Sequence, residues 1–150
     1  MKILVFSDSH GRIDVMRSIA VKENPDLILH LGDYETDCER AFPGYRVIKV
    51  RGNCDHGSAE ETERFLDFGK SRIWMTHGHR YQVKSGLASL LKTGAEKGAS
   101  LILYGHTHRR YLLETADYTV LNPGTPDRSY GVIQMESGEI CSVSLRDTEN

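Results

Sequence analysis

The sequence lacks the marks of a disulfide-stapled, membrane-spanning or disordered chain. Only three cysteines, Cys38, Cys54 and Cys141, occur in 150 residues, an odd number with no C-x-x-C pair. Neither a disulfide framework nor a zinc ribbon is indicated, and a reducing cytoplasm is the expected compartment. Long apolar runs are missing. The opening Ile3-Leu4-Val5-Phe6 turns polar at Ser7-Asp8-Ser9-His10, too soon for a signal-peptide core or a membrane span. There is no excess of positive charge either. A net charge of −2 argues against an extended nucleic-acid surface, because tracking a phosphate backbone needs a positive field. No repeat, low-complexity tract or Pro/Gly/Ser linker divides the chain, so residues 1–150 are expected to form a single domain. A chain of this length buries roughly 68–70% of the surface its unfolded form exposes, enough for one core.

What is present is an ordinary globular balance, 39% hydrophobic and 27% charged, with clear alternation of elements. Residues 3–6 form a short apolar run ended by polar residues, the pattern of a buried strand. Ile13, Met16, Ile19 and Ala20 recur at helical spacing after it. Further buried strands are expected at 27–31, 45–50 and 101–104, with a hairpin at 65–76 and a helix marked by Leu87, Leu90, Leu91 and Ala95. The remainder alternates like antiparallel strands, with a turn at Glu136-Ser137-Gly138-Glu139. Strand-helix alternation early and antiparallel pairing late imply two packed sheets flanked by helices.

One pattern recurs five times. An apolar strand stops, and a residue of a metal-binding type follows: Asp8 with His10, Asp33, Asn53, His77, and His106 with His108. In α/β sheets, ligands bind beyond the carboxyl ends of the strands. Gly32, Gly52, Gly78 and Gly105 adjoin these residues, where tight turns would aim them inward. Taken singly, each signal is weak. An Asp after a strand is more often a cap or turn residue, a lone His is more often a hydrogen-bonded or surface residue, and Asn beside Gly usually marks a turn. Their shared position at strand ends is what those readings leave unexplained. The sharpest local feature is Gly105-His106-Thr107-His108, whose two histidines at i and i+2 would share one side of an extended segment. Imidazole with carboxylate suits Mn, Fe, Co, Ni or Zn.

Asp8-x-His10, Gly32-Asp33, Gly52-Asn53, Thr76-His77-Gly78-His79 and Gly105-His106-Thr107-His108 resemble, in order, the motif set of the calcineurin-like metallophosphoesterases. The later Asn122-Pro123-Gly124 is similar to the small single-domain phosphodiesterase branch of that superfamily. The resemblance implies an α/β fold, a four-layer α-β-β-α sandwich of two mixed sheets flanked by helices. It implies hydrolysis of phosphoesters, diesters before monoesters, by a hydroxide activated between two divalent ions. The ions would be Mn²⁺ or Ni²⁺ first, with Zn²⁺, Fe²⁺ or Co²⁺ also compatible. Asp8, His10 and His108 would hold one ion, and Asn53, His77 and His106 the other, with Asp33 bridging.

The chain departs from the wider superfamily at Cys54, where many members carry a histidine thought to assist the leaving group. A thiol is a poor acid at neutral pH. His79 and His56 are weaker substitutes: His79 reads as a supporting residue and His56 as part of a solvated loop. Asp33, Asn53, Cys54 and His79 are therefore the catalytic candidates. Arg12, Arg109 and Arg110 flank the ligands and could contact phosphate, although exposed arginines are common. Asn122 and Thr125 could line the rim, Lys84-Ser85 reads as preceding or capping a helix, and His30 as a core histidine. The expected partner is a small phosphoester at a rather open site, since no inserted cap is visible in the sequence. The rival is an interaction scaffold like the retromer subunit that resembles this branch. The intact ligand set argues against it, because erosion would show first at the ligands.

Overall fold

A computed structural model of the protein describes residues 1–149. The elements run β1 (Lys2–Phe6), α1 (Ile13–Glu23), β2 (Leu27–His30), α2 (Asp37–Ala41), β3 (Val47–Lys49), β4 (Glu63–Asp67), β5 (Arg72–Thr76), a 3₁₀ turn (His79–Tyr81), α3 (Ala88–Glu96), β6 (Leu101–Leu103), β7 (Tyr111–Glu114), β8 (Thr119–Asn122), β9 (Ser129–Glu136) and β10 (Glu139–Asp147). They build two five-stranded sheets, ordered β10-β9-β1-β2-β3 and β4-β5-β6-β8-β7. Both sheets are mixed. β1, β2 and β3 are parallel, as are β5, β6 and β8, while β9, β10, β4 and β7 pair antiparallel.

Alternation along the strands divides the apolar residues among three layers of packing. Ile3, Val5, Leu27 and Leu29 point between the sheets, where they meet Ile73, Met75, Leu101, Leu103 and Leu121. Leu4, Phe6 and Ile28 face the other way and pack on Met16, Ile19 and Ala20 of α1 and Ala41 of α2. On the far side, Trp74, Ile102 and Val120 pack against Leu90 of α3. The result is the α-β-β-α sandwich that the resemblance implies. A strand covered on both faces has no polar side, which is why β1, β2 and β6 read as continuous apolar runs.

Local departures have local causes. The third strand is shorter than the apolar run suggests, spanning only Val47–Lys49. The five-residue helix α2 and the 3₁₀ turn are too short for a periodic pattern to reveal. Ser85 does not cap α3: the helix begins at Ala88 after Leu87, with no side-chain cap. All three cysteines are free, Cys38 buried and the other two exposed.

Candidate metal centre

Every proposed ligand lies beyond the carboxyl end of a parallel strand. Asp8 and His10 follow β1, Asp33 follows β2, Asn53 follows β3, His77 follows β5, and His106 and His108 follow β6. The two parallel sets sit in different sheets, so their ends are tied across the interface. The His77 Nδ1–H donates to the Leu31 carbonyl at 2.8 Å, and the His106 backbone N–H donates to Asp8 Oδ2 at 3.0 Å. The first bond fixes the His77 tautomer and leaves its Nε2 lone pair facing inward.

Two groups of three donors result. Asp8, His10 and His108 place one ligand atom each within 4.8 Å of one another, and so do Asp33, His77 and His106. The groups abut. His77 Nε2 lies 3.4 Å from Asp33 Oδ2 and 3.9 Å from Asp8 Oδ1, and Asp8 Oδ1 lies 3.2 Å from His108 Nε2. Asp8 and Asp33 are almost wholly buried, at 1% and 3% exposure. Asp8 Oδ1 and His10 Nε2 are nevertheless buried atoms without a hydrogen-bond partner. A buried carboxylate oxygen and an imidazole nitrogen left unsatisfied cost free energy unless something else binds them. A donor set of imidazoles and carboxylates, with lone pairs converging from two sides, fits divalent transition ions.

The electrostatics agree. Burial alone would raise the Asp33 carboxyl, but the hydrogen bond and charge of His77 and the Cys54 N–H outweigh it and hold the group well below the usual carboxylate range. Burial lowers the pKa of His77, and the adjacent Asp33 and Asp8 more than reverse this, leaving it raised. Burial, with His77 next to it, pushes His106 down to about 4, so its ring is neutral and available as a ligand at neutral pH.

The backbone at the site differs from an extended His-x-His segment. Asp8, His10, Asp33, His106 and His108 all adopt left-handed φ, between 44° and 69°. Successive left-handed turns send His106 and His108 into different groups rather than to one side of a strand. Such conformations are costly for residues other than glycine and cluster at functional sites. The glycines serve clearance as much as turning. A Cβ on Gly52 would collide with Asp33 Oδ1, and one on Gly105 with Ser7 Oγ, so neither position admits a larger residue.

The remaining candidates divide. Asn53 sits on the same loop, exposed, its amide hydrogen-bonded to Cys54 Sγ at 3.6 Å. Cys54 is exposed beside Asp33, and its thiol is raised by partial burial and the nearby carboxylates, so it stays protonated at neutral pH. His79 is half-buried, its ring centroid 5.4 Å from that of His77 and 6.1 Å from that of His106, with Nδ1 unpartnered. Burial and His77 lower its pKa. His56 is exposed.

Several residues brace the site in ways the sequence did not show, among them Asn122, which is buried rather than lining the rim. Asp55 accepts backbone N–H bonds from Asp33, Glu35 and Gly52, clamping two ligand loops together. Asn122, fully buried, donates to the Gly105 carbonyl and to Thr107, and so holds the His106 loop. His30 is a core histidine, as expected, and it also holds the site. The Gly32 N–H donates to His30 Nδ1, His30 Nε2–H donates to Ser9 Oγ, and Ser9 donates to Asp37, which also accepts the Gly11 N–H. This chain ties the Asp33 loop to the His10 loop. Burial pushes His30 down to about 3. It stays neutral when folded, whereas the unfolded chain protonates near the ordinary 6.5. Its contribution to stability is therefore complete above pH 6.5 and lost as pH falls from there towards 3. Ser9→Ala removes the central link and leaves His30 Nε2 and one Asp37 bond unpaired. The expected cost is about 1–3 kcal/mol in denaturant unfolding, with weaker metal binding in calorimetric titration. Unchanged values for both would contradict the bracing role.

Comparison with known proteins gives a consistent picture. The model of the calcineurin-like phosphoesterase superfamily domain matches residues 1–145. A Bacillus subtilis protein named as a probable metallophosphoesterase, YsnB, is 31% identical over 147 residues, covering 91% of this chain and 86% of that one. A phosphodiesterase of Methanocaldococcus jannaschii is 28% identical over 171 residues, covering 97% and 99% of the two chains. The crystal structure of a conserved Streptococcus pneumoniae protein superposes with a TM-score of 0.74 at 21% identity, covering 97% of each chain.

Proposed function

The chain belongs to the calcineurin-like phosphoesterase superfamily, and from that premise we propose that it hydrolyses phosphodiesters at a centre of two divalent ions. The observation that carries this reading is the pair of abutting donor groups, one around Asp8 and one around Asp33, with buried ligand atoms lacking any other partner. Asp8, His10 and His108 would hold one ion and His77, His106 and Asn53 the other, with Asp33 serving both. When bound, two such ions acidify a water and neutralise charge building on the phosphoryl oxygens.

The protein's own groups orient and tune. The Ser7 hydroxyl and the His106 N–H both donate to Asp8 Oδ2, which leaves Oδ1 turned to the centre. The Cys54 N–H donates to Asp33 Oδ1 at 2.9 Å, fixing the shared carboxylate from the solvent side. Asn53 and Cys54 stand at the exposed mouth, where a substrate enters. His79 is half-buried beside the His77 and His106 rings with its pKa lowered, so its ring is neutral and is assigned to supporting the imidazoles rather than delivering a proton. No side chain at the mouth is a strong acid. The departing oxygen then carries its own charge, which favours good leaving groups.

The test is a rate series over aryl diesters and matching aryl monoesters of graded leaving-group pKa, run on the wild type, Cys54→Ser and Cys54→His. Diesters should react faster than monoesters, and wild-type rates should fall steeply as the leaving group becomes more basic. Cys54→His should flatten that slope and accelerate the poorest leaving groups by about 10²-fold, the usual worth of a positioned acid. Cys54→Ser should keep the wild-type slope and metal content. Equal slopes for wild type and Cys54→His at equal metal occupancy would contradict the missing-acid account, and a preference for monoesters would contradict the diester reading.

A further inference from the structure

Four arginines surround the side of the centre occupied by His10 and His108. A groove of about 520 Å³ opens directly from these two histidines and is lined by Arg12, Arg109, Arg128 and Thr125. It continues past His108 into a second hollow that Arg109 and Arg128 share with Arg110. Two of the four are already engaged. Arg12 Nε lies 3.2 Å from Asp127 Oδ1, and Arg110 pairs with Asp147. Arg109 and Arg128 are exposed, and among the described residues neither guanidinium has a carboxylate or hydrogen-bond partner. Four cations against two anions leave the groove two positive charges in excess, on a chain whose net charge is −2.

A phosphodiester carries a single negative charge, and the metal centre already supplies more positive charge than that group needs. The surplus beside it is matched by another anion. We infer that this groove is a subsite for a second phosphate on the substrate, a terminal phosphomonoester on one arm of the diester, held by Arg109 and Arg128. This rests on the phosphodiesterase reading above. Guanidinium forks suit a phosphate dianion, since parallel N–H donors meet two of its oxygens. Asp127 and Asp147, each paired with an arginine, bound the groove, so the unpaired positive charge is confined to Arg109 and Arg128 and matches one terminal group rather than a polynucleotide backbone. Arg109 also lines a neighbouring hollow of mixed character, where Val83, Leu87, Tyr104 and Tyr111 stand with Lys84 and Arg110.

The test compares two substrates with the same scissile bond and leaving group: the p-nitrophenyl ester of thymidine 5′-phosphate, and the same ester bearing a 3′-phosphate. The metal-loaded wild type should favour the 3′-phosphorylated ester in kcat/KM by about ten-fold, the size of one charge-assisted hydrogen bond. R109A/R128A should bring that ratio to about one. K70A/R72A removes two exposed cations at the far end of β5 and should keep the preference. Calorimetry on zinc-loaded protein gives a readout free of turnover: thymidine 3′,5′-bisphosphate should bind about ten-fold more tightly than thymidine 5′-phosphate, and only R109A/R128A should erase the difference. Equal ratios in the wild type, a preference that survives R109A/R128A, or an equal loss in K70A/R72A would overturn the subsite. Failure to hydrolyse either ester with any metal would instead count against the phosphodiesterase reading, and the binding ratios would still decide the subsite.

Discussion

Protein stripped by chelation, and verified metal-free by elemental analysis, is expected to lose all measurable phosphodiesterase activity, and Mn²⁺ or Ni²⁺ is expected to restore it. Mg²⁺ alone should restore little. The reason lies in the donors: four of the seven proposed ligands are histidines, and oxygen comes only from Asp8, Asp33 and the Asn53 amide. Mg²⁺ prefers oxygen and gives up its waters reluctantly, whereas imidazole suits the later transition ions. The buried, unpartnered Asp8 Oδ1 and His10 Nε2 add a second readout. Metal binding should raise the unfolding midpoint, because an ion bound to the folded state alone stabilises it by mass action. Full activity in verified metal-free protein would contradict the metal centre outright.

Asp33→Asn is expected to lower turnover by more than 10²-fold and to reduce the metal content below that of the wild type. Outer residues that merely orient a ligand cost about 10–100-fold when lost, and Asp33 is argued to serve both ions at once. Its carboxyl is held well below the usual range by His77 and Cys54, so its charge is present throughout the working pH range and its removal is felt fully. Asn53→Ala should cost less, since the Asn53 amide is neutral, exposed and assigned to one ion. Paired measurements of turnover and metal content on the two variants check the order. Two ions and a near-normal rate in Asp33→Asn would contradict the shared role.

The sequence made some levels of this structure legible and concealed others. The strands β1, β2 and β6 were readable because both of their faces are covered. The donors other than Asn53, which follows the half-buried edge strand β3, stood out because each follows a buried apolar strand. The assignment of His106 and His108 to separate groups came from family resemblance. Their spacing pointed to one shared side, because left-handed φ at alternate residues leaves no mark in residue type when histidine and aspartate occupy it. The clamp made by Asp55 and the link from Ser9 through His30 to Asp37 were also hidden. Both join residues over twenty positions apart, and polar residues that satisfy one another look like any others in a linear string. His30 was readable as buried from the apolar run around it, but not as a brace. The arginines presented the opposite difficulty. Arg12, Arg109 and Arg110 were visible as cations near the ligands, but which of them are free depends on Asp127 and Asp147, placed by the fold alone.

The shared carboxylate is tested most directly by electron paramagnetic resonance of the wild-type protein loaded with Mn²⁺ to saturation, with manganese counted per chain. The account predicts two manganese ions per chain and the broadened, multi-line spectrum of two exchange-coupled ions, collapsing in Asp33→Asn. One ion per chain at saturation, with the six-line spectrum of isolated Mn²⁺, would contradict it.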